Sequence, residues 1–322
     1  MSRTVELKSG ETLECFIVDE PDDRHVPQVL RLLGHKGGVW QYHMDEWAAG
    51  RVKRLETRFY VGRVGEELVG NIMTVVYRGV GIMGHVFTPP EHRKKGICDA
   101  LMDFHMEDFR RRGGTVLHLN TGFESVAWLI YRAHGYVPMP ERPGSMWWAP
   151  EEGWRPEGLY ANLDRVSVAD ADWQHWPSMN IFTQMPFDQL VRSASYGLYA
   201  IQPSEGQFPG ILQDRATRGD VQARVIQTRE GHVAGLATLV PERRWGRFAA
   251  THVFDLLVHP DAAHAASDLV KDFAWPDAHV LAYAAETDEL TIDLLAEAGF
   301  HPHSHVERFF RDAVGLVIMD RD

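Results

Sequence analysis

Three consecutive basic residues, Arg93, Lys94 and Lys95, stand directly ahead of Gly96. After Gly96 the apolar residues Ile97, Leu101, Phe104 and Phe109 return at close to helical spacing, with charges between them. A loop that ends in glycine and opens a helix leaves free backbone N–H groups at the positive end of the helix dipole, and anions bind there. The three basic side chains add positive charge. The chemistry expected of residues 93–99 is therefore to hold a phosphate-bearing cofactor, through a pyrophosphate. Upstream, residues 82–88 read as the strand that delivers this loop.

The loop is neither G-x-G-x-x-G nor G-x-x-x-x-G-K-[ST], so it matches neither a dinucleotide fold nor a Walker loop. Arg93-x-x-Gly96-x-Cys98 resembles the [QR]-x-x-G-x-[GA] signature of the GNAT acyltransferase superfamily, which holds the pyrophosphate of coenzyme A. A short strand at 115–120 follows the helix. Then Ala127, Ile130, Tyr131, Gly135 and Tyr136 resemble the family's second signature, A-x-x-[LI]-Y-x-x-x-G-[FY], in the right order and at the usual separation. Cys98 stands where the family has Gly or Ala.

The resemblance implies an acyl-CoA-dependent N-acyltransferase that uses acetyl-CoA or another short acyl-CoA and a small-molecule amine as acceptor. It places the cofactor on Phe87, Thr88, Arg93, Lys94, Lys95, Gly96, Ile97 and Cys98, with a backbone N–H near Phe87 or Thr88 polarising the thioester carbonyl. Tyr131 matches the motif tyrosine, whose hydroxyl protonates the departing thiolate; a phenol with pKa near ~10 suits that task. His85 stands three residues before Thr88, where related enzymes often carry an acidic residue. An imidazole titrating near neutrality there takes the proton of the incoming ammonium, directly or through water. Glu124 and His118 are weaker choices for the base. Cys98, in the first turn of the phosphate helix where the dipole lowers a thiol's pKa, reads as a small residue in a glycine slot rather than as a nucleophile. An aromatic loop at 39–47, with Trp40, Tyr42 and Trp47, and Trp147 beside Trp148, supply an acceptor pocket, if they are not simply core.

These residues need a frame. Residues 14–18 read as a strand, 25–33 as a helix, and 58–64 with 68–76 as a hairpin turning at 65–67. The cofactor strand, loop and helix follow, then the strand and helix carrying the second signature, then a closing strand pair within 138–150. The second half looks like a worn copy. With Pro260 aligned on Pro90, strand 254–258 answers 84–88, Asp255 falls on His85, Ala263 on Arg93 and Ala266 on Gly96. A helix is expected over 262–273, a strand over 279–284, and residues 291–300 mirror 127–136 with Leu295 in place of the tyrosine. The fold expected is thus α/β (α+β): two GNAT-like domains, each a mixed central sheet flanked by helices, in a layout similar to the two-domain mycothiol synthases. Residues 1–150 bind acyl-CoA and catalyse; residues 151–322 are degenerate, a structural domain that walls the acceptor pocket.

Composition sets the outer bounds. The chain has 322 residues, 44% of them hydrophobic, enough for two cores. A formal charge of −12 argues against a dedicated nucleic-acid partner. Two cysteines, Cys15 and Cys98, give neither a disulfide framework nor a metal spacing. His301, His303 and His305 alternate on a strand without supporting ligands and read as a solvated face, so no metal is expected. The first residues show no apolar signal core, and no run nears the ~18 apolar residues of a membrane span. A cytoplasmic protein is expected. Other readings of the same site are a non-catalytic acyl-CoA-binding regulator, a GNAT-like acyl-CoA decarboxylase or hydrolase, and an aminoacyl-tRNA-dependent transferase. The charge disfavours the last.

Overall fold

The computed structural model describes residues 1–244 and 250–321 and divides into two compact units, Met1–Trp154 and Arg155–Asp322. The first unit runs β1 (Ser2–Glu6), β2 (Thr12–Val18), α1 (Val26–Leu32), α2 (Gly38–Ala48), β3 (Glu56–Val64), β4 (Glu67–Tyr77), β5 (Val80–Phe87), α3 (Ile97–Arg111), β6 (Val116–Asn120), α4 (Val126–Ala133), β7 (Val137–Pro138) and β8 (Ser145–Trp148). Its strands form one mixed sheet in the order β1-β2-β3-β4-β5-β6-β8-β7. β5 and β6 are parallel; the other neighbours are antiparallel.

The expected hairpin is present as β3 and β4. Two elements differ from expectation. Ser2–Glu6 is an additional edge strand on β2, folded back around Gly10. And the aromatic stretch is not a loop: it is helix α2, because His43, Met44 and Trp47 recur at i, i+1 and i+4 and are all buried.

Helix α3 sits close on the sheet. Gly62 of β3 and Gly70 of β4 pair directly across the ladder. A Cβ on Gly70 would stand 2.7 Å from Cγ2 of Ile97 and 2.9 Å from Cδ1 of Leu101. The missing side chain at Gly70 is what lets Ile97 and Leu101 descend to 1% exposure; at Gly62 the space is taken chiefly by Leu13 of β2, 2.9 Å from a would-be Cβ. Phe104 and Phe109, also expected on the apolar face, are fully buried. The far end of α3 is fastened by Asp108, which has no exposure and accepts hydrogen bonds from the Tyr60 hydroxyl at 2.8 Å, Arg111 at 2.8 Å and Arg112 at 2.9 Å. Burial works to raise the Asp108 pKa; the Tyr60 and arginine hydrogen bonds and the Arg112 charge outweigh it and hold the carboxyl below its usual value.

The second unit runs β9 (Ser167–Asp170), α5 (Trp176–Phe182), β10 (Val191–Ser193), β11 (Leu198–Tyr199), α6 (Gln207–Arg218), β12 (Gln222–Gln227), β13 (Val233–Pro241), β14 (His252–Val258), α7 (Ala266–Val270), β15 (Val280–Ala285), α8 (Glu289–Glu297), β16 (His301–Val306) and β17 (Leu316–Arg321). Its main sheet, β16-β17-β15-β14-β13-β12-β9, repeats the first unit's order, including one parallel pair, β14 with β15. The expected helix over 262–273 is reduced. Pro260–Ala265 is a 3-10 turn and only Ala266–Val270 is α-helical, with no glycine between them. β16 is exposed throughout and carries His301, His303 and His305.

The close seating of α3 makes Gly70→Val an overpacking change. We expect it to remove about 1–3 kcal/mol of stability, read as a lower urea midpoint at unchanged slope. An unaltered midpoint would mean that α3 can rise off the sheet freely.

Candidate acyl-transfer site

β5 and β6 pair for three residues, Val80 with Val116 to Ile82 with His118, and register ends there. Beyond that point β5 keeps its antiparallel ladder to β4 but slips: Met73 pairs with Gly84, yet Asn71 pairs with Phe87. Two residues, His85 and Val86, thus oppose Ile72 alone, which is a β-bulge. His85 has φ +50°, a left-handed conformation uncommon outside glycine. Asn71, 1% exposed, holds the bulge by donating from Nδ2 to the His85 carbonyl at 2.9 Å.

Both ring nitrogens of His85, Oδ1 of Asn71 and Oγ1 of Thr74 are buried without a hydrogen-bond partner among the described residues. Such groups are rare and costly, about 1–3 kcal/mol each, unless a ligand or water meets them. The expectation that His85 titrates near neutrality is not met. Burial first, then the charges of His43, Lys36 and His35, push its pKa down to about 3. The imidazole is neutral at physiological pH, with one acceptor and one donor nitrogen.

From the bulge the chain turns through Thr88 into the basic loop. Arg93 donates from Nε to the Thr88 carbonyl at 3.0 Å and braces the turn. Lys94 has φ +64° and Gly96 φ +94°, so the backbone is left-handed at both. Alternating left-handed residues turn successive N–H groups toward one concavity, which suits an anion. The first backbone bond of α3 runs from Ala100 N–H to the Gly96 carbonyl at 3.1 Å; the N–H groups of Ile97, Cys98 and Asp99 precede it. A Cβ on Gly96 would meet nothing nearer than Lys8 at 3.9 Å, so there is room above the loop. Loop and helix start therefore fit a pyrophosphate. Of the three basic residues, Lys95 is committed to Glu11 at 2.8 Å; Arg93 and Lys94 are exposed. Cys98 has no activated thiol: burial raises its pKa to about 11, against the lowering expected from the dipole.

The remaining sequence candidates separate. Trp40 meets His85 edge-on, ring centroids 5.4 Å apart. Trp47 is 4% exposed and packs on Phe59 at 4.6 Å, in the core. Tyr42 is half-buried, its phenol pKa raised by burial and then by Glu46. Trp147 faces Trp154 at 6.1 Å. Tyr131, 6% exposed on α4, lies 6.0 Å from the ring of Tyr136, whose hydroxyl reaches Sδ of Met83 on β5 at 3.4 Å. His118 is buried opposite Ile82; Glu124 is exposed, with φ +56°. The structure adds residues not singled out in the sequence: Asn71, His43, Lys36, and His35, whose ring lies 4.2 Å from that of Phe87. A histidine in a Gly-flanked loop carries no spacing signal, so only the fold reveals these.

Asp255, placed on His85 by the proline alignment, is not its counterpart. It follows the last parallel pair of its sheet, Phe254 with Ala282, as Met83 follows Ile82 with His118. It accepts from Ser193 Oγ at 2.8 Å, Ala194 N–H at 2.7 Å, Ser195 N–H at 3.3 Å and Thr238 Oγ1 at 3.0 Å. The β13–β14 ladder runs from Gly235 to Pro241 without a slip, so the second unit has no such bulge.

A parallel pair that parts beside a bulged strand, followed by a glycine-closed anion loop, is the frame that the resemblance to GNAT acyltransferases implies. Comparison with known proteins agrees: residues 56–138 match the Acetyltransferase (GNAT) domain, and this part of the chain is a domain of that family. At that level the protein is an N-acetyltransferase that uses acyl-CoA. No curated protein matches the chain. Among solved structures it is similar to an N-acetyltransferase from Staphylococcus aureus Mu50, with 15% identity over 49% of this chain and 99% of that one, TM-score 0.38. It is also similar to a GNAT superfamily phosphinothricin acetyltransferase from Sinorhizobium meliloti in complex with AcCoA, with 17% identity over 48% and 87%, TM-score 0.38. A spermidine N-acetyltransferase from Vibrio cholerae, in complex with CoA and spermine, gives 12% identity over 48% and 94%, TM-score 0.34. Likeness of that degree carries no argument about substrate.

Burial also sets an acid limit. His43, His85 and His105 all have pKa values pushed down to about 3, by burial in the first place. Unfolded, each titrates near ~6.5 and binds the proton the native state refuses. Their contribution is complete above that value and is lost as pH falls from there toward 3, by up to about 1.4 kcal/mol per pH unit for each histidine. Urea unfolding at pH 7 and pH 5 should show lower stability at pH 5, and His105→Leu should flatten the slope. Equal stability at the two values would mean that the three rings are hydrated.

Proposed function

We propose that the first unit transfers an acetyl or other short acyl group from coenzyme A to the amine of a small molecule, with the loop at 93–98 holding the donor and the bulge at His85 facing the acceptor. The observation that carries the reading is the adjacency of two features along β5: buried polar atoms lacking partners at the bulge, and a left-handed, glycine-closed loop ten residues on that opens a 15-residue helix.

The donor supplies an activated carbonyl carbon. Backbone N–H groups of Lys94 to Cys98 bind its pyrophosphate, with Arg93 and Lys94 adding charge. A backbone N–H at Phe87 or Thr88 stabilises the oxygen that becomes negative when the amine nitrogen adds. The C–N bond forms, the C–S bond breaks, Tyr131 gives its hydroxyl proton to the leaving thiolate, and the proton that the nitrogen sheds on becoming an amide returns through water to the Tyr131 oxygen. His85 is too weak a base, at a pKa of about 3, to strip an ammonium. It accepts a hydrogen from an amine that has already lost its extra proton to water, and so aims the nitrogen's lone pair. Trp40 closes the same side. The second unit, with its short α7 and no glycine in the corresponding turn, takes no acyl-CoA.

Calorimetric titration with acetyl-CoA should therefore give one equivalent per chain, abolished in Gly96→Val, since a β-branched residue is strained at φ +94°. Two equivalents, or binding intact in the variant, would move the donor elsewhere. Tyr131→Phe should lower kcat by about 10²–10⁴-fold with acetyl-CoA affinity kept. Full activity would make water the proton donor.

A further inference from the structure

The second unit has a cavity at the end of its sheet where β15 begins, opposite the end at which β14 and β15 part. Helix α3 of the first unit has 15 residues; α7, at the same place in the element order, has 5. Between α7 and the last turns of α8 a cavity of about 420 Å³ is open, within the size range of small-molecule sites. Its apolar lining, Ala266, Val270 and Leu294, is buried. Three charged side chains also line it. Lys271 is paired with Asp268 at 2.6 Å; Arg321 and Glu297 have no ion-pair partner among the described residues.

Arg321 is held in place. Its guanidinium lies over the ring of Trp275, 4.4 Å from the centroid, and Nη1 donates to the Ala298 carbonyl. Gly299, at φ +85°, has no Cβ to strike Nη1. Trp275 is itself backed by Phe254 at 5.2 Å and Phe300 at 5.8 Å. Ring and carbonyl fix the guanidinium, while Nε and Nη2 have no partner among the described residues. That edge of the fork takes a carboxylate through two parallel hydrogen bonds.

The two unpaired charges select the ligand between them. A plain carboxylate would pair with Arg321 and meet Glu297 as like charge; a plain amine would pair with Glu297 and meet Arg321 as like charge. A molecule carrying both groups satisfies both, and the buried lining takes an apolar body. We propose that the cavity between α7 and α8 binds a small zwitterion with an apolar body, the chemistry of an apolar α-amino acid. Arg321 receives its carboxylate, Glu297 its ammonium, and Ala266, Val270 and Leu294 its side chain. The site is distinct from the acyl-transfer site and does not rest on the transferase reading.

Calorimetric titration of the full chain with leucine, 4-methylpentanoate and 3-methylbutylamine separates the groups: the second lacks the ammonium, the third the carboxylate. We expect one equivalent of leucine, bound about tenfold or more tightly than either partial analogue, the size of one charge-assisted contact. Glu297→Gln, an isosteric change at an exposed position, should weaken leucine about tenfold and tighten 4-methylpentanoate, because the like charge is gone. Ser267→Trp, from an exposed position in the cavity lining, should abolish the leucine heat by filling the space. Both variants should keep the urea midpoint and the acetyl-CoA affinity of the parent chain. Leucine bound instead at the acceptor site of the first unit would give the same heat in both variants, and that result overturns the proposal. So does a parent chain that gives no heat with leucine, or one that binds 4-methylpentanoate as tightly.

Discussion

Everything in the first unit depends on how far α3 can sink into its sheet. The depth is set by one absent side chain, at Gly70 of β4, where a Cβ would stand 2.7 Å from Ile97 and 2.9 Å from Leu101. Ile97 and Leu101 occupy the space. At the other end the buried carboxylate of Asp108 ties Tyr60 of β3 to Arg111 and Arg112 of the helix. A buried carboxylate is costly unless paired and hydrogen-bonded, so this one tolerates little displacement. A helix pinned at both ends has a fixed N-terminus. That fixes the place at which Lys94 to Cys98 present their N–H groups relative to β5.

The bulge is the complementary constraint. An unbroken ladder along β5 would pair its backbone and point its side chains alternately to fixed faces. The slip between Met73 and Asn71 frees the chain at His85 to adopt a positive φ, and Asn71 holds it there. Such strain persists only where surrounding contacts over-determine it. Here it goes with three polar atoms that have no partner among the described residues, both ring nitrogens of His85 and Oδ1 of Asn71, which cost stability rather than adding to it. A ligand that met the His85 ring would recover that cost.

What was legible in the sequence was local. The loop is a contiguous run of basic residues closed by glycine, and α3 announces itself by spacing, so both were readable, as was the hairpin at Gly65. The N-terminal strand was missed because five residues of mixed polarity on a sheet edge bury little. Gly37 and Gly38 mask the start of α2 in the sequence, although its buried residues follow a helical period. The bulge could not be read at all: one extra residue in a strand leaves no compositional trace. It also spoiled the comparison of the two halves. Aligning Pro90 with Pro260 put Asp255 on His85, whereas the ladders place Asp255 at Met83. The ring contacts at the bulge, His35 with Phe87 and Trp40 with His85, join residues some fifty apart in sequence, and only folding brings them together.

The two units show what separates a site from its scaffold. Both have the same strand order and a parallel pair that ceases after three residues. In the second, β14 runs on without a bulge, and its buried carboxylate is met by four donors from Ser193, Ala194, Ser195 and Thr238. Burial still raises the Asp255 pKa, but every hydrogen bond it receives opposes that. The divergence strand allows a pocket; it does not make one reactive. The two units share a strand order and differ at this strand: the first slips at His85 into a strained bulge, while the second keeps its ladder in register and places a hydrogen-bonded carboxylate there.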